Sequence, residues 1–379
     1  MQTVQPKRKA ELKLRRFLGS AIMLAALVLY SDQGWSASWQ QALSARASAE
    51  HDSNPTMAPA YGISIWRSVF EPSYKLKGTN GVNELNAGLD LQIARSSNKV
   101  LSPNRDDPSA FVGWRRQTET GALGLSADYD QVGTRITAID NTGPGLADNT
   151  RTSRKISANL SQALSERSNV ALDGAYQHVS YKGGNFIDYV TRSGGMKFSY
   201  AWDERSTPFL RLSYVDYEPE NGSPPSYLAN ALLGWNWKIS DYLEWTLQGG
   251  RTKIKDAKKM GTQGAVAVQY TGQRIGWALN AGRQVSPSGF GGFITVDQVQ
   301  GNWSYALSER SKTGIDLGWQ KNYLSTAIAT TTAGAWLQHD INSFWGTRMY
   351  YLHKSSKQDG ISAKSNILGV ALTYTPAGF

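Results

Sequence analysis

Ala231-Leu-Leu-Gly-Trp-Asn-Trp-Lys-Ile-Ser-Asp-Tyr-Leu-Glu-Trp-Thr-Leu247 decides the fold of this chain. Ala231, Leu233, Trp235, Trp237 and Ile239 share one parity. After a short break the spacing resumes at Leu243, Trp245 and Leu247, with Lys238 and Glu244 on the other parity. A period of two sends alternate side chains to opposite faces of an extended strand. Two such runs joined by a few polar residues read as a hairpin.

Working outward, the period recurs along the chain. Leu85, Ala87, Leu89, Leu91 and Ile93 oppose Glu84, Asn86, Asp90 and Gln92; Met196, Phe198, Tyr200 and Trp202 form another apolar set, as do Thr313, Ile315, Leu317 and Trp319. No long helical period competes. The runs predict eighteen strands, at about 38–50, 63–77, 83–95, 109–118, 120–131, 151–163, 168–182, 189–203, 207–217, 227–239, 242–254, 262–271, 274–285, 292–306, 311–322, 331–341, 344–354 and 364–376. Short connections such as 117–121, 239–242 and 341–344 alternate with longer ones at 96–108, 132–150, 217–226 and 354–363. An even strand number with short turns on one side and longer loops on the other predicts an all-β, up-and-down antiparallel transmembrane barrel of the outer-membrane type.

The polar parity separates this from a soluble sheet protein. A sandwich turns its apolar face inward, whereas here nearly every run carries a polar set that needs a hydrated surface, which a lumen supplies. Aromatics gather near strand ends, at Trp202 and Phe209, Trp237 and Trp245, Tyr270 and Trp277, and Phe344 and Trp345, where a headgroup-level girdle needs them. A β-propeller would repeat every ~40–45 residues, and no such period is present.

Composition agrees. The 379 residues include 10 Phe, 13 Trp, 18 Tyr and 37 Gly, too aromatic for a disordered chain. With a mean hydropathy of −0.43, no run outside 17–30 approaches the ~20 apolar residues of a membrane helix. The absence of Cys excludes disulfides, thiolate metal sites and a lipidated N-terminal Cys. Six basic residues from Lys7 to Arg16 precede the apolar stretch Phe17 to Tyr30 and the small-residue exit Gly34-Trp-Ser36. Residues 1–36 therefore read as a cleavable secretory signal peptide, with a single anchoring helix as the alternative, and 37–379 as the barrel. Removing them lowers the net charge from +10 to +6, since six positive and two negative charges leave. That is mild basicity and not a nucleic-acid footprint.

Ala163-Leu-Ser-Glu-Arg-Ser168 recurs as Ala306-Leu-Ser-Glu-Arg-Ser311, a duplication trace, a partner patch or simply a good hairpin turn with a Glu–Arg pair at its tip. These turns, the run Trp39-Gln-Gln-Ala-Leu-Ser-Ala-Arg-Ala-Ser-Ala-Glu50, the loop His51-Asp-Ser-Asn-Pro55 and Val69-Phe-Glu-Pro-Ser-Tyr74 resemble the outer-membrane β-barrel porins that accompany exopolysaccharide and exosortase gene clusters in Gram-negative bacteria. The resemblance implies an exopolysaccharide-linked outer-membrane channel without catalytic residues. Its partners would be outer-membrane lipid and lipopolysaccharide, the barrel-insertion machinery, a polysaccharide chain and periplasmic export components. A general diffusion porin or structural barrel is the alternative. The chain ends Thr375-Pro-Ala-Gly-Phe379; a terminal Phe suits barrel insertion, but Phe379 falls off the apolar parity of Leu368, Val370, Leu372 and Tyr374, and Pro376 intervenes.

The histidines, His51, His178, His339 and His353, have no metal-ligand spacing, and only His178 and His353 offer a conceivable catalytic pair near extracellular strand ends. Gly289-Phe-Gly-Gly292 lacks the following helix of a phosphate loop. No cofactor, metal or catalytic residue is expected. Polar parity assigns eleven basic residues to the lumen: Arg46, Arg67, Lys75, Arg115, Lys155, Lys197, Arg211, Lys238, Arg274, Lys312 and Arg348. Nine acidic ones accompany them: Glu71, Glu84, Asp90, Asp128, Asp173, Asp203, Glu244, Asp316 and Asp340. Tyr217, Tyr350 and the Gln298, Gln300, Asn302 ladder offer stacking and hydrogen bonds to a sugar chain. Lys253, Lys255, Lys258 and Lys259 at one extracellular connection, and Lys354, Lys357 and Lys364 at another, are candidates for lipopolysaccharide phosphates or ordinary loop lysines. The loop at 132–149 is long enough to fold inward as a constriction.

Overall fold

The computed structural model describes residues 38–60, 62–134, 149–255, 257–323 and 327–376. The eighteen strands are β1 (Ser38–Asp52), β2 (Ile65–Asn80), β3 (Asn83–Ser96), β4 (Arg105–Gln117), β5 (Gly121–Gly133), β6 (Thr150–Ala163), β7 (Ser168–Lys182), β8 (Tyr189–Tyr200), β9 (Ser206–Pro219), β10 (Ser226–Ser240), β11 (Leu243–Ile254), β12 (Gly261–Thr271), β13 (Ile275–Ser288), β14 (Gly292–Ala306), β15 (Ser311–Tyr323), β16 (Ala327–Asp340), β17 (Trp345–Gln358) and β18 (Ile361–Tyr374). Each pairs antiparallel with its sequence neighbours, and β1 pairs with both β2 and β18. The sheet is therefore a closed barrel with no free edge through its middle, and the expected architecture is found with the expected strand number. Eighteen strands ~4.8 Å apart and tilted by ~40° put opposite backbones about 35 Å apart.

The alternation settles which side meets lipid. Along β18, Leu368, Val370 and Leu372 are exposed while Ala363, Ile367 and Ala371 are buried. In β10 the outward Leu233 is 68% exposed. A band of exposed Leu, Ile, Val and Trp around a closed sheet is stable only against hydrocarbon. Tyr227 and Trp237 lie ten residues apart on this face of β10, which at ~3.3 Å per residue and ~40° tilt spans about 25 Å of height, the depth of an apolar band. Tyr227 stacks near Tyr214 at the upper level (5.6 Å between centroids), and Tyr270 near Trp277 at the lower (6.0 Å).

Three expectations need correction. Residues 354–363 are not a long loop: β17 and β18 continue to a two-residue turn at Asp359-Gly360, whose φ values of 49° and 82° suit a hairpin turn that Gly makes cheap. Strand β4 starts at Arg105 instead of 109, because Pro108 sits opposite Leu91 without ending the ladder. Phe209 belongs to no outer girdle; it faces the lumen, its ring over Gly234 and 4.1 Å from the Lys197 ammonium. In the two Leu-Ser-Glu-Arg-Ser turns, the bonds Leu164 N–H to Ser168 O (2.8 Å) and Leu307 N–H to Ser311 O (2.9 Å) match. The serine hydroxyls Ser165 and Ser308 accept from Arg167 and Arg310 N–H, so serine rather than a Glu–Arg pair holds the turn. The signal-peptide segment and Phe379 lie outside the described residues.

Candidate functional site

The strand registers carry the polar parity around the inner wall. Arg67, Lys75, Arg115, Lys155, Lys197, Arg211, Lys238, Lys312 and Arg348 stand on it, with Asp173 and Asp316. Arg274 and Asp203 instead fall in short turns between strands. The registers add Lys77, Arg105, Arg151 and Lys354, and, among acids, Glu50, Asp52, Asp107 and Asp130. The described wall thus carries fourteen basic and twelve acidic residues, the same excess of two that the sequence suggests.

Ion pairs within and between strands neutralise much of this charge. Arg46 meets Glu71 (2.7 Å), Arg67 meets Glu50, Lys77 meets Glu84 (3.2 Å), Arg105 meets Asp107 (2.7 Å) and Arg211 meets Asp173 (3.5 Å). Arg348 lies 4.3 Å over the lumen-facing Trp336 ring. One sector is free of charge. The inner faces of β12, β13 and β14 carry no charged residue: they present Gln263, Gln269, Asn280, Gln284, Gln298, Gln300 and Asn302 among alanines and serines. Amides and hydroxyls continue on β10 and β11, where Gln263 and Thr252 donate to Asn230 Oδ1 (2.8 and 2.6 Å) and Thr246 donates to Asn236 Oδ1 (3.0 Å). Gln300 and Asn302 are exposed to the lumen.

Among the described residues one connection turns into the lumen, and it is not the 132–149 loop expected as a constriction. Residues 135–148 lie outside the described residues. The tip of the β13–β14 hairpin is what enters the lumen. The β12–β13 ladder ends at Gly264 opposite Arg283 and the β14–β15 ladder at Thr295 opposite Tyr323, yet β13 and β14 stay paired up to Ser288 opposite Gly292. This ribbon leaves both neighbours, crosses the arc of β10–β12 and docks on the inner side of β7–β9 as an arch. Tyr217 donates its hydroxyl to Ser288 O (3.0 Å) and Ile187 N–H donates to Gly289 O (2.8 Å). Tyr217 faces Phe293 (5.6 Å), and Phe186 lies between Tyr181 (4.9 Å) and Phe290 (5.3 Å). Val179, Tyr189 and Tyr217 form a buried cluster, and lumen-parity Leu228, Leu232, Ile294 and Val296 are buried too, which a hydrated wall would not allow without such cover. Tyr217 is therefore committed to the arch and offers no face to a sugar. Tyr350 lies flat over Gly369 and donates to Glu50 Oε2 (2.7 Å). Pro287, Phe290 and Phe293 were the available signal for the arch, apolar residues in what reads as an ordinary connection.

Outside, the first lysine group divides. Lys253 and Lys255 donate to the carbonyls of Ala257 (2.8 Å) and Pro225 (3.0 Å), while Lys258 and Lys259 are exposed. Lys357 and Lys364 sit on the outward parity of the β17–β18 extension, and Lys354 on the inward one. His178 and His353 are on β7 and β17, eight strands apart around the ring, and both face outward. His178 meets Glu220 (3.0 Å) and His353 shares a hydrogen bond with Asn366 (2.8 Å), so the two cannot act as a pair.

No protein-family model and no curated protein matches the chain. Among solved structures it is similar to the outer membrane protein opdK of Pseudomonas aeruginosa (10% identity, TM-score 0.51, covering 90% of this chain and 99% of that one). It is similar also to OccAB4 of Acinetobacter baumannii (10% identity, TM-score 0.50, 90% and 98% covered). The likeness is one of fold: an 18-stranded barrel of the Gram-negative outer membrane, with an apolar belt outside and a polar wall within.

Proposed function

We propose that the barrel is a channel for a hydroxyl-rich carbohydrate chain, taking part in exopolysaccharide export. The uncharged amide sector of β12–β14 carries this reading. Amide groups can both donate to and accept from sugar hydroxyls, and a stretch of wall without charge engages those hydroxyls without desolvating ions. A row of equivalent weak sites lets a polymer slide instead of being trapped. The resemblance to exopolysaccharide-associated porins points the same way. The arch would narrow the path on the extracellular side. General diffusion is the second reading, favoured by the near balance of the wall charges. Planar-bilayer conductance measured together with secreted polysaccharide decides between them. Export predicts that deleting the gene abolishes secretion, whereas a conducting barrel whose loss leaves secretion unchanged is a diffusion porin. On the outside, the exposed Lys258 and Lys259 with Lys253 and Lys255 would contact the phosphates of lipopolysaccharide.

A further inference from the structure

Beneath the arch lies a cavity of about 210 Å³ bounded by β6, β7 and the hairpin tip. A cavity of ~150 Å³ holds benzene, so this one has room for a single six-membered ring with its substituents. Its walls are of three kinds. Phe186 and Phe290 provide aromatic faces, and Phe290 is 47% exposed although it sits at the tip of an inward-folded element. Gln177 and Gln284 provide amides. Arg151 provides a guanidinium.

That guanidinium differs from most arginines of the inner wall. Arg46, Arg67, Arg105 and Arg211 each face a carboxylate. Arg151 lies instead against the neutral hydroxyls of Tyr181 and Tyr189. Among the described residues no carboxylate comes within ion-pair distance of it. Asp130 stands one ladder position away, opposite Ser153, and Asp188 is engaged by the backbone N–H of Tyr181 (2.7 Å). A half-buried guanidinium whose hydrogen-bond partners are tyrosine hydroxyls, with Asp130 acting on it only through space, keeps donors for a planar anion, and a carboxylate matches its fork. An aromatic face beside amides takes the apolar side and the hydroxyls of a pyranose ring.

We propose that this cavity is a binding site for an acidic sugar residue of a polysaccharide, with the uronate carboxylate on Arg151, the hydroxyls on Gln177 and Gln284 and the ring against Phe290. The inference rests on the channel reading and refines its cargo from carbohydrate in general to a carboxylate-bearing one. The test is blockade of single-channel current by hexagalacturonate and by maltohexaose, its neutral counterpart. In the unaltered barrel the uronate should block about ten-fold more tightly, the worth of one charge-assisted contact. Arg151→Gln should bring the ratio close to one, Arg151→Lys should keep part of it, and Phe290→Ala should weaken both blockers together. Lys312→Gln removes an equal charge at the periplasmic end and should keep the preference, which separates a local site from the general field of the lumen. Equal blockade by the two oligosaccharides, a preference that survives Arg151→Gln, or one that Lys312→Gln abolishes as completely would overturn the proposal. A reconstituted barrel that passes no current at all would instead refute the channel.

Discussion

Replacing Tyr217 tests whether the arch is a fixed constriction. Its side chain is fully buried, donates to Ser288 O at 3.0 Å and faces Phe293 at 5.6 Å. Tyr217→Phe removes the hydroxyl and leaves Ser288 O unsatisfied in a dry place, at a cost of about 1–2 kcal/mol, or roughly ten-fold in the docking equilibrium. Tyr217→Ala removes the ring as well, and large aromatic truncations cost about 3–5 kcal/mol. The remaining contacts are the backbone hydrogen bond at Gly289, the Phe186–Phe290 pair and the burial of Leu228, Leu232, Ile294 and Val296. Undocked states should therefore be rare in the unaltered barrel, more frequent in Tyr217→Phe and most frequent in Tyr217→Ala. Single-channel recording should read this as a steady level, occasional brief openings and frequent openings to a larger conductance, respectively. Heat-modifiable mobility confirms that each variant has folded. A Tyr217→Ala barrel that folds and conducts at the same steady level would show that the arch neither narrows the path nor depends on this latch.

Three further outcomes follow from the geometry. Gly289→Val should mimic Tyr217→Ala, because a Cβ there would come within 2.7 Å of the Tyr181 ring; an unchanged current would contradict the close approach. The conducting barrel should show at most weak anion preference at ~0.15 M salt, since an excess of two charges over a wide hydrated wall is heavily screened; reversal potentials in a salt gradient measure this, and strong selectivity of either sign would contradict it. Replacing Lys253, Lys255, Lys258 and Lys259 with Gln should weaken lipopolysaccharide association modestly, with most of the loss already present when only the exposed Lys258 and Lys259 are changed; binding that is unaffected argues for ordinary loop lysines.

The barrel was legible because lipid and water impose a period of two on every strand, and Leu85 to Ile93 or Ala231 to Ile239 keep it without interruption. Boundaries failed where that selection stops. Residues 354–358 rise above the apolar belt, so their polar composition mimics a loop although their ladder continues. Pro108 can stay in the strand because the β4–β5 ladder ends beside it, at Ser109 opposite Asp130, so little pairing is lost with the missing N–H. Most of the lumen set was legible by parity; Arg105 lies before the expected start of β4, and Lys77, Arg151 and Lys354 stand toward the ends of their strands, where the alternation is weakest. The arch could not be found by periodicity, because its position is a long-range event: Phe290 and Phe293 make sense only against Tyr181 and Tyr217, which the chain places over 70 residues away.

The seam between β1 and β18 has a consequence for biogenesis. β1 is matched to β2 over fifteen positions but to β18 over only eight, from Ala45 opposite Tyr374 to Asp52 opposite Ile367. The first strand made thus waits for the last, across 329 residues, and bringing such distant ends together costs about 5 kcal/mol in chain entropy. Until that final zipper closes, the nascent sheet has two raw margins and an uncovered greasy side. A chain that stops short of β18 would lack the strand that seals it, so translation must finish before assembly can, and quality control during the crossing of the periplasm has a single late event to monitor.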